Sequence, residues 1–308
     1  MPGLPRIVSI CGETATGKTK IAVDIARRFG GEVVNADSMQ VYRGMDIGTA
    51  KPTPEERAAV PFHGLDLADP RDTYSAGKFN EDARKAVEDI LARERLPVAA
   101  GGTGLYLKVL AYGMIDGPPL DRDFREAMKK MEAENPGFLV RRLRSVDPVK
   151  AGEIPPRDSL RLIRALEVYE LTGRPLSDYQ VEHGFREPVY DILKIGLRRD
   201  PDTLERRIYE RAERMMDGGL PDEVRTLLDA GVSLEMPAMA AVGYREAAAY
   251  LRGERTREET IEDIVQGTRR LAKRQRTWFR ADKEIRWYLL PDDESRLFDD
   301  VAAYVEAP

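Results

Sequence analysis

The chain has 308 residues and a net charge of −5, with 42% hydrophobic and 33% charged residues. That length accommodates one large or two small domains with a sizeable core, and no apolar stretch approaches the roughly 20 residues of a membrane span. A single cysteine, Cys11, excludes an internal disulfide and, with only two histidines, a zinc cluster. A cytoplasmic setting is the expectation.

In chain order, residues 6–11 form a short apolar run, read as a buried strand. A glycine-rich loop follows, and residues 18–29 carry helical spacing with Ile21, Ile25 and Phe29 on one face. Gly30-Gly31 ends that helix and residues 32–36 form a second strand. Strand, helix, strand in this order implies a parallel sheet. A long loop over 37–72, a helix over 75–93 and a strand over 96–100 come next. Gly101-Gly102-Thr103-Gly104 is a second glycine-rich turn that runs from strand into helix.

Pro118-Pro119 marks a change of character. The following stretch reads as all-helical, with helices over 124–134, 137–144 and 159–171. Residues 190–197 read as a return to the sheet, 202–280 as helical again, and 284–290 as a last strand. The expected architecture is α/β, a P-loop NTPase-like parallel-sheet core made of 1–119 and 189–308, with an all-helical insertion over 120–188.

Gly12, Glu13, Thr14, Ala15, Thr16, Gly17, Lys18 and Thr19 match G-x-x-x-x-G-K-[ST] between a strand and a helix. The glycines let successive N–H groups point at one anion. Lys18 adds a positive charge, and the Thr19 hydroxyl is placed to bind Mg2+. The helix that starts here adds its positive dipole end. By itself the loop favours a nucleoside triphosphate. Yet no guanine-reading Asn-Lys-x-Asp segment is present, and strand 96–100 ends in Gly101-Gly102-Thr103 instead of an acidic residue. A small-molecule kinase using ATP and a non-catalytic RNA-binding ATPase are the rival functions.

Asp37 follows the second strand, on the sheet edge where the phosphate loop follows the first. It is a candidate metal ligand or general base, or else a turn residue. Thr103 holds the matching position after another strand, as a hydrogen-bond donor to a reacting group or as a helix N-cap. Arg43 and Lys51 in the long loop are either polyanion contacts or solvated charges.

The basic charge is concentrated: residues 269–286 hold eight Lys and Arg against Asp282 and Glu284, on a chain that is acidic overall. Arg269, Lys273, Arg276 and Arg280 share one helix face. A stripe of this kind suits a nucleic-acid backbone, with Trp278 available to stack on an unpaired base. A solvated helix with Trp278 in the core is the alternative.

Taken together, Thr14 to Thr19, the run Asp37-Ser38-Met39-Gln40 to Lys51-Pro52, Gly101 to Tyr106, Arg161 to Val168, Val242-Gly243-Tyr244 and Leu271 to Phe279 resemble the bacterial tRNA dimethylallyltransferase family, in family order over nearly the whole chain. Glu13 stands where that family usually has proline, and Phe62-His63 where it commonly shows two histidines. The resemblance implies transfer of a dimethylallyl group from dimethylallyl diphosphate to the exocyclic amine of the adenosine 3′ of the anticodon. Asp37, Thr103 and Arg206 are the implied catalytic residues, and the insertion is the implied grip on the anticodon stem-loop. Implied tRNA contacts are Asp37, Ser38, Met39, Gln40, Thr103, Arg125, Arg161, Arg164, Gly243, Tyr244, Lys273, Arg274 and Gln275. Mg2+ is the implied cofactor and a monomer the expected state.

Overall fold

The computed structural model describes residues 3–114 and 117–307; Met1, Pro2, Ile115, Asp116 and Pro308, which fall within the expected domain ranges, lie outside the described residues. The chain divides into two compact units, Met1–Ala111 with Val189–Pro308, and Tyr112–Pro188.

In the first unit, β1 (Arg6–Gly12), α1 (Lys18–Arg28) and β2 (Gly31–Asn35) form the opening strand–helix–strand unit. Then come α2 (Pro54–Ala59), β3 (Phe62–His63), α3 (Ala76–Ala92), β4 (Leu96–Ala100) and α4 (Gly104–Tyr112). The second unit holds α5 (Arg122–Glu134), α6 (Phe138–Val146), α7 (Pro148–Glu153), α8 (Ser159–Thr172) and α9 (Leu176–His183). The chain re-enters the sheet as β5 (Asp191–Arg198). It continues through α10 (Pro201–Asp217), α11 (Leu220–Asp229), a 3₁₀ turn, α12 (Tyr244–Leu251), α13 (Arg257–Arg280), β6 (Arg286–Leu289) and α14 (Glu294–Glu306).

Among the described residues the strands form one six-stranded sheet in the order β3-β2-β4-β1-β5-β6, with every pairing parallel. Alternate residues of β1 feed opposite faces. Val8 and Ile10 pack with α1 and α14, while Ile7 packs with α3 and α4. Burial on both faces is why these strands read as continuous apolar runs. A third apolar cluster joins α10, α11, α12 and α13 to Val41, Tyr42 and Met45.

Residues 37–72 are not a plain loop. Thr53 and Glu56 form a reciprocal capping box with Pro54 at the first helical position, which nucleates α2, and Phe62 and His63 pair with Val33 and Val34. Both elements are too short for periodicity to reveal. The second unit begins at Tyr112, ahead of the Pro118-Pro119 pair. The pair itself already belongs to the helical unit: Arg164 donates to the Pro118 carbonyl at 3.0 Å, and just beyond it Asp121 N–H donates to Glu167 at 2.9 Å.

Candidate active site

Parallel strands bring their carboxyl ends to one edge. The turns after β1, β2 and β4 therefore converge there, around a cavity of about 660 Å³ lined by Lys18, Thr19, Asp37, Gln40, Thr103 and Arg211 among others.

The turn after β1 is the phosphate loop. Gly12 has φ +140°, and a Cβ there would meet the Leu197 carbonyl at 2.6 Å, so only glycine fits. Ala15 is held at φ 65° and Gly17 at φ 103°. Thr16 Oγ1 donates to the Glu13 carbonyl at 2.8 Å. Lys18 Nζ donates to the carbonyls of Gly12 and Glu13 at 3.1 and 2.8 Å. Burial pushes the Lys18 pKa down to about 8, with Asp37 opposing the fall.

Neighbouring elements brace this loop. Arg199 and Arg207 donate to the carbonyls of Thr16 and Ala15 at 3.2 and 2.7 Å, and Arg211 Nη1 donates to Thr14 Oγ1 at 3.1 Å. The Nε of Arg211 is sealed from solvent with no hydrogen-bond partner. Burial lowers the Arg211 pKa, and Asp37 opposes that shift too. The Arg211 side chain nevertheless lines the cavity, so its positive charge borders the space an anion would fill.

The turn after β2 carries Asp37. Its N–H donates to Asn35 Oδ1 at 3.2 Å, its Oδ1 accepts Met39 N–H at 2.9 Å, and its Oδ2 lies beside Gly102. Asp37 is thus both a turn-forming residue and a carboxylate lining the cavity. The Thr103 hydroxyl accepts Ser38 N–H at 3.0 Å and donates to Ser38 Oγ at 3.2 Å. It ties two turns together, while the Thr103 carbonyl accepts the N–H groups of Tyr106 and Leu107 at the start of α4. Gln40 donates to the carbonyls of Thr49 and Ala50 at 3.2 and 3.1 Å.

Several expected contacts are redirected. Arg206 is exposed, 3.7 Å from Glu210; Arg207 and Arg211, one and five residues further along α10, line the cavity in its place. Their shared helix face with Arg214, at i, i+4 and i+7, was the available signal in the sequence. Tyr244 is fully buried and donates its hydroxyl to Glu223 at 2.7 Å, so its ring cannot meet an acceptor base. Gly243 caps the start of α12 at φ 106°. Lys51 is buried against Asp46 and Asp66, at 2.7 and 2.5 Å, as a structural cation. Arg43 donates to the carbonyls of Asp66 and Leu67.

The basic helix is α13, and its stripe divides. Arg269 pairs with Glu205 and Arg276 with Glu13 at 2.7 Å, whereas Lys273, Arg274 and Arg280 are exposed. Arg274 also lines the cavity. Gln275 is buried; it accepts Thr14 N–H at 2.7 Å and donates to the Gly102 carbonyl at 3.1 Å. Trp278 is 44% exposed, not core, and a Cβ on Gly104 would strike its ring.

Within the helical unit, Arg125 and Arg164 both grip Glu167, a fully buried carboxylate, at 2.6 Å. These guanidiniums are committed internally because an unpaired charge at Glu167 would be far costlier to bury. Arg161 is exposed and lies 3.3 Å from Asp158. Cys11 is buried, and burial pushes its thiol up to about 12, which keeps it unreactive. Among the described residues, no helix is long and apolar enough to cross a membrane.

An all-parallel α/β sheet, a glycine loop with a lysine and an arginine, and a carboxylate on the same cavity define a P-loop protein built to handle a phosphorylated substrate. The IPP transferase family model matches residues 40–282 and the isopentenyl transferase model residues 5–61. The chain is 48% identical to tRNA dimethylallyltransferase 1 of Pelobacter propionicus over 99% of each chain. It is 47% identical to the tRNA dimethylallyltransferase of Geobacter metallireducens over 93% of each. It superimposes on the full-length tRNA isopentenylpyrophosphate transferase of Bacillus halodurans with a TM-score of 0.71 at 37% identity, covering 98% of this chain and 97% of that one. A eukaryotic dimethylallyltransferase acting on tRNA gives 0.86 at 27% identity, covering 98% of this chain and 79% of the other. The chain belongs to the IPP transferase family, whose members are prenyl-transferring enzymes. That membership decides against the small-molecule kinase reading.

Proposed function

We propose that this chain transfers a dimethylallyl group from dimethylallyl diphosphate to the exocyclic N6 amine of the adenosine 3′ of the anticodon in tRNA, releasing diphosphate. The observation that carries this reading is one cavity lined by Lys18, Arg211 and Asp37, with the carboxylate acting on both cations. In the reaction the allylic C–O bond breaks, its electron pair leaves with the diphosphate, and a C–N bond forms to N6. Lys18, Arg211 and the loop amides stabilise the charge that develops on the leaving group. The allylic carbon ionises readily, so a weak nucleophile suffices, and Asp37 accepts the proton that N6 loses.

The hard hydroxyl oxygen of Thr19 lines the same cavity, which fits Mg2+. When bound, the metal would neutralise diphosphate charge. The acceptor base must leave its stack for its N6 to reach the cavity. Arg274 at the cavity, with Lys273 and Trp278 exposed further along α13, offers it charge and a stacking face. The helical unit would grip the anticodon stem-loop, with Arg161 as its exposed basic contact. The working state is a cytoplasmic monomer.

Labelled dimethylallyl diphosphate incubated with unmodified tRNA tests the proposal. Label should appear in RNA at that adenosine. Label absent from RNA, with ATP consumed on a small acceptor, would overturn it.

A further inference from the structure

Glu13 is a carboxylate set inside a loop that is otherwise designed to attract an anion. Its residue is 9% exposed, and it sits between Gly12 and Thr14, whose backbone and side chain frame the anion site. An uncompensated negative charge there repels a diphosphate. Arg276 meets it with a two-pronged ion pair, Nε to Oε1 at 2.7 Å and Nη2 to Oε2 at 2.8 Å, the strongest geometry open to these groups. The preceding residue, Gln275, accepts the N–H of Thr14 and donates to Gly102. Two consecutive side chains of α13 therefore hold two consecutive residues of the phosphate loop. The guanidinium of Arg276 cannot satisfy Glu13 and an RNA phosphate equally well, because both of its paired prongs are engaged.

We propose that Arg276 is the built-in counter-ion of Glu13, a positioning residue that sets the affinity of the phosphate loop for a diphosphate and not an RNA contact. It neutralises the loop carboxylate, while the neighbouring Gln275 holds the loop backbone at Thr14. The idea rests on the loop being a diphosphate site, the reading given above. It does not depend on the identity of the group transferred or of the acceptor.

Calorimetry with inorganic pyrophosphate on the full chain tests this without any transfer reaction. Arg276→Met should weaken pyrophosphate binding about tenfold or more, since it leaves Glu13 unpaired beside the anion. Adding Glu13→Gln to that variant should restore binding to within about threefold of the parent. Glu13→Gln alone should bind pyrophosphate at least as tightly as the parent, because the repulsion is gone and the Arg276 charge remains. This last variant keeps the test decisive if Arg276→Met does not fold. The tRNA affinity of Arg276→Met and its salt slope should stay unchanged. The proposal is overturned if Glu13→Gln weakens pyrophosphate binding, if the double variant shows no recovery, or if Arg276→Met lowers tRNA affinity and its salt slope instead. Should pyrophosphate respond as expected while no label enters tRNA, the transfer reaction is wrong and the counter-ion role stands.

Discussion

The hydroxyl of Thr103 accepts the backbone N–H of Ser38 at 3.0 Å, so the turn after β4 holds the turn after β2 one residue from Asp37. The sheet order makes this tie possible, because β4 pairs with β2 in parallel register, Asn35 opposite Ala100. Thr103→Val keeps the shape and removes the acceptor. A neutral hydrogen bond of this kind is worth about 1 kcal/mol, so a several-fold fall in kcat is expected, with the KM for the diphosphate substrate unchanged and Thr103→Ser close to the parent. Equal losses in the Ser and Val variants would remove the hydroxyl from the account.

Asp37 combines a turn-forming Oδ1 with a place on the cavity wall. Asp37→Asn preserves the acceptor for Met39 and removes the base. The rate of prenyl transfer should fall by about 10²–10⁴, while tRNA and pyrophosphate still bind. A rate within tenfold of the parent would assign the proton to another group.

Lys18 titrates near pH 8 because burial disfavours its charge. Only the charged form attracts the diphosphate, so affinity should decline as pH rises above about 8, by up to tenfold per pH unit while the bound-state pKa lies higher. In Lys18→Arg the charge persists, and that decline should vanish. Affinity measured from pH 7 to 10 for both proteins cancels the titration of the ligand itself.

Tyr244 is buried against Gly48, where a Cβ would meet its ring at 2.4 Å, and its hydroxyl shares Glu223 with the backbone N–H groups of Asp46, Ile47 and Gly48. Tyr244→Phe removes one hydrogen bond to a carboxylate, worth about 2 kcal/mol. A lower Tm with an unchanged KM for tRNA is expected. An unchanged Tm with a raised KM would return Tyr244 to the acceptor surface.

Burial on its own would raise the Glu167 pKa, but hydrogen bonds from Arg125, Arg164 and the Asp121 amide outweigh it and bring it to about 2. The folded value lies below the unfolded one, so this group's stabilisation is fully present above about pH 4.5 and is lost as pH falls towards 2. It amounts to roughly 3–4 kcal/mol. Acid unfolding followed by circular dichroism should show Glu167→Gln less stable than the parent at pH 7, with the gap closing below about pH 3. A gap that stays constant with pH would mean the loss comes from packing.

The sequence alone determined the sheet class, the phosphate loop and the placing of Asp37 and Thr103 at one edge. Those follow from local signals: an apolar run, a glycine pattern, and the rule that parallel strands end together. It also determined that α13 is basic. Which charges are free was a tertiary matter. Arg276, Arg125, Arg164 and Lys51 look like surface cations in a string of letters, yet each finds a carboxylate far away in sequence or across a turn. Tyr244 and Gln275 look like exposed contacts, yet burial engages their polar atoms inside the protein. Arg211 joined the cavity wall only when α10 was packed beside the loop, its Nη1 donating to Thr14. A charge in sequence has a sign but no neighbour, and the neighbour decides whether it binds a substrate or holds the fold.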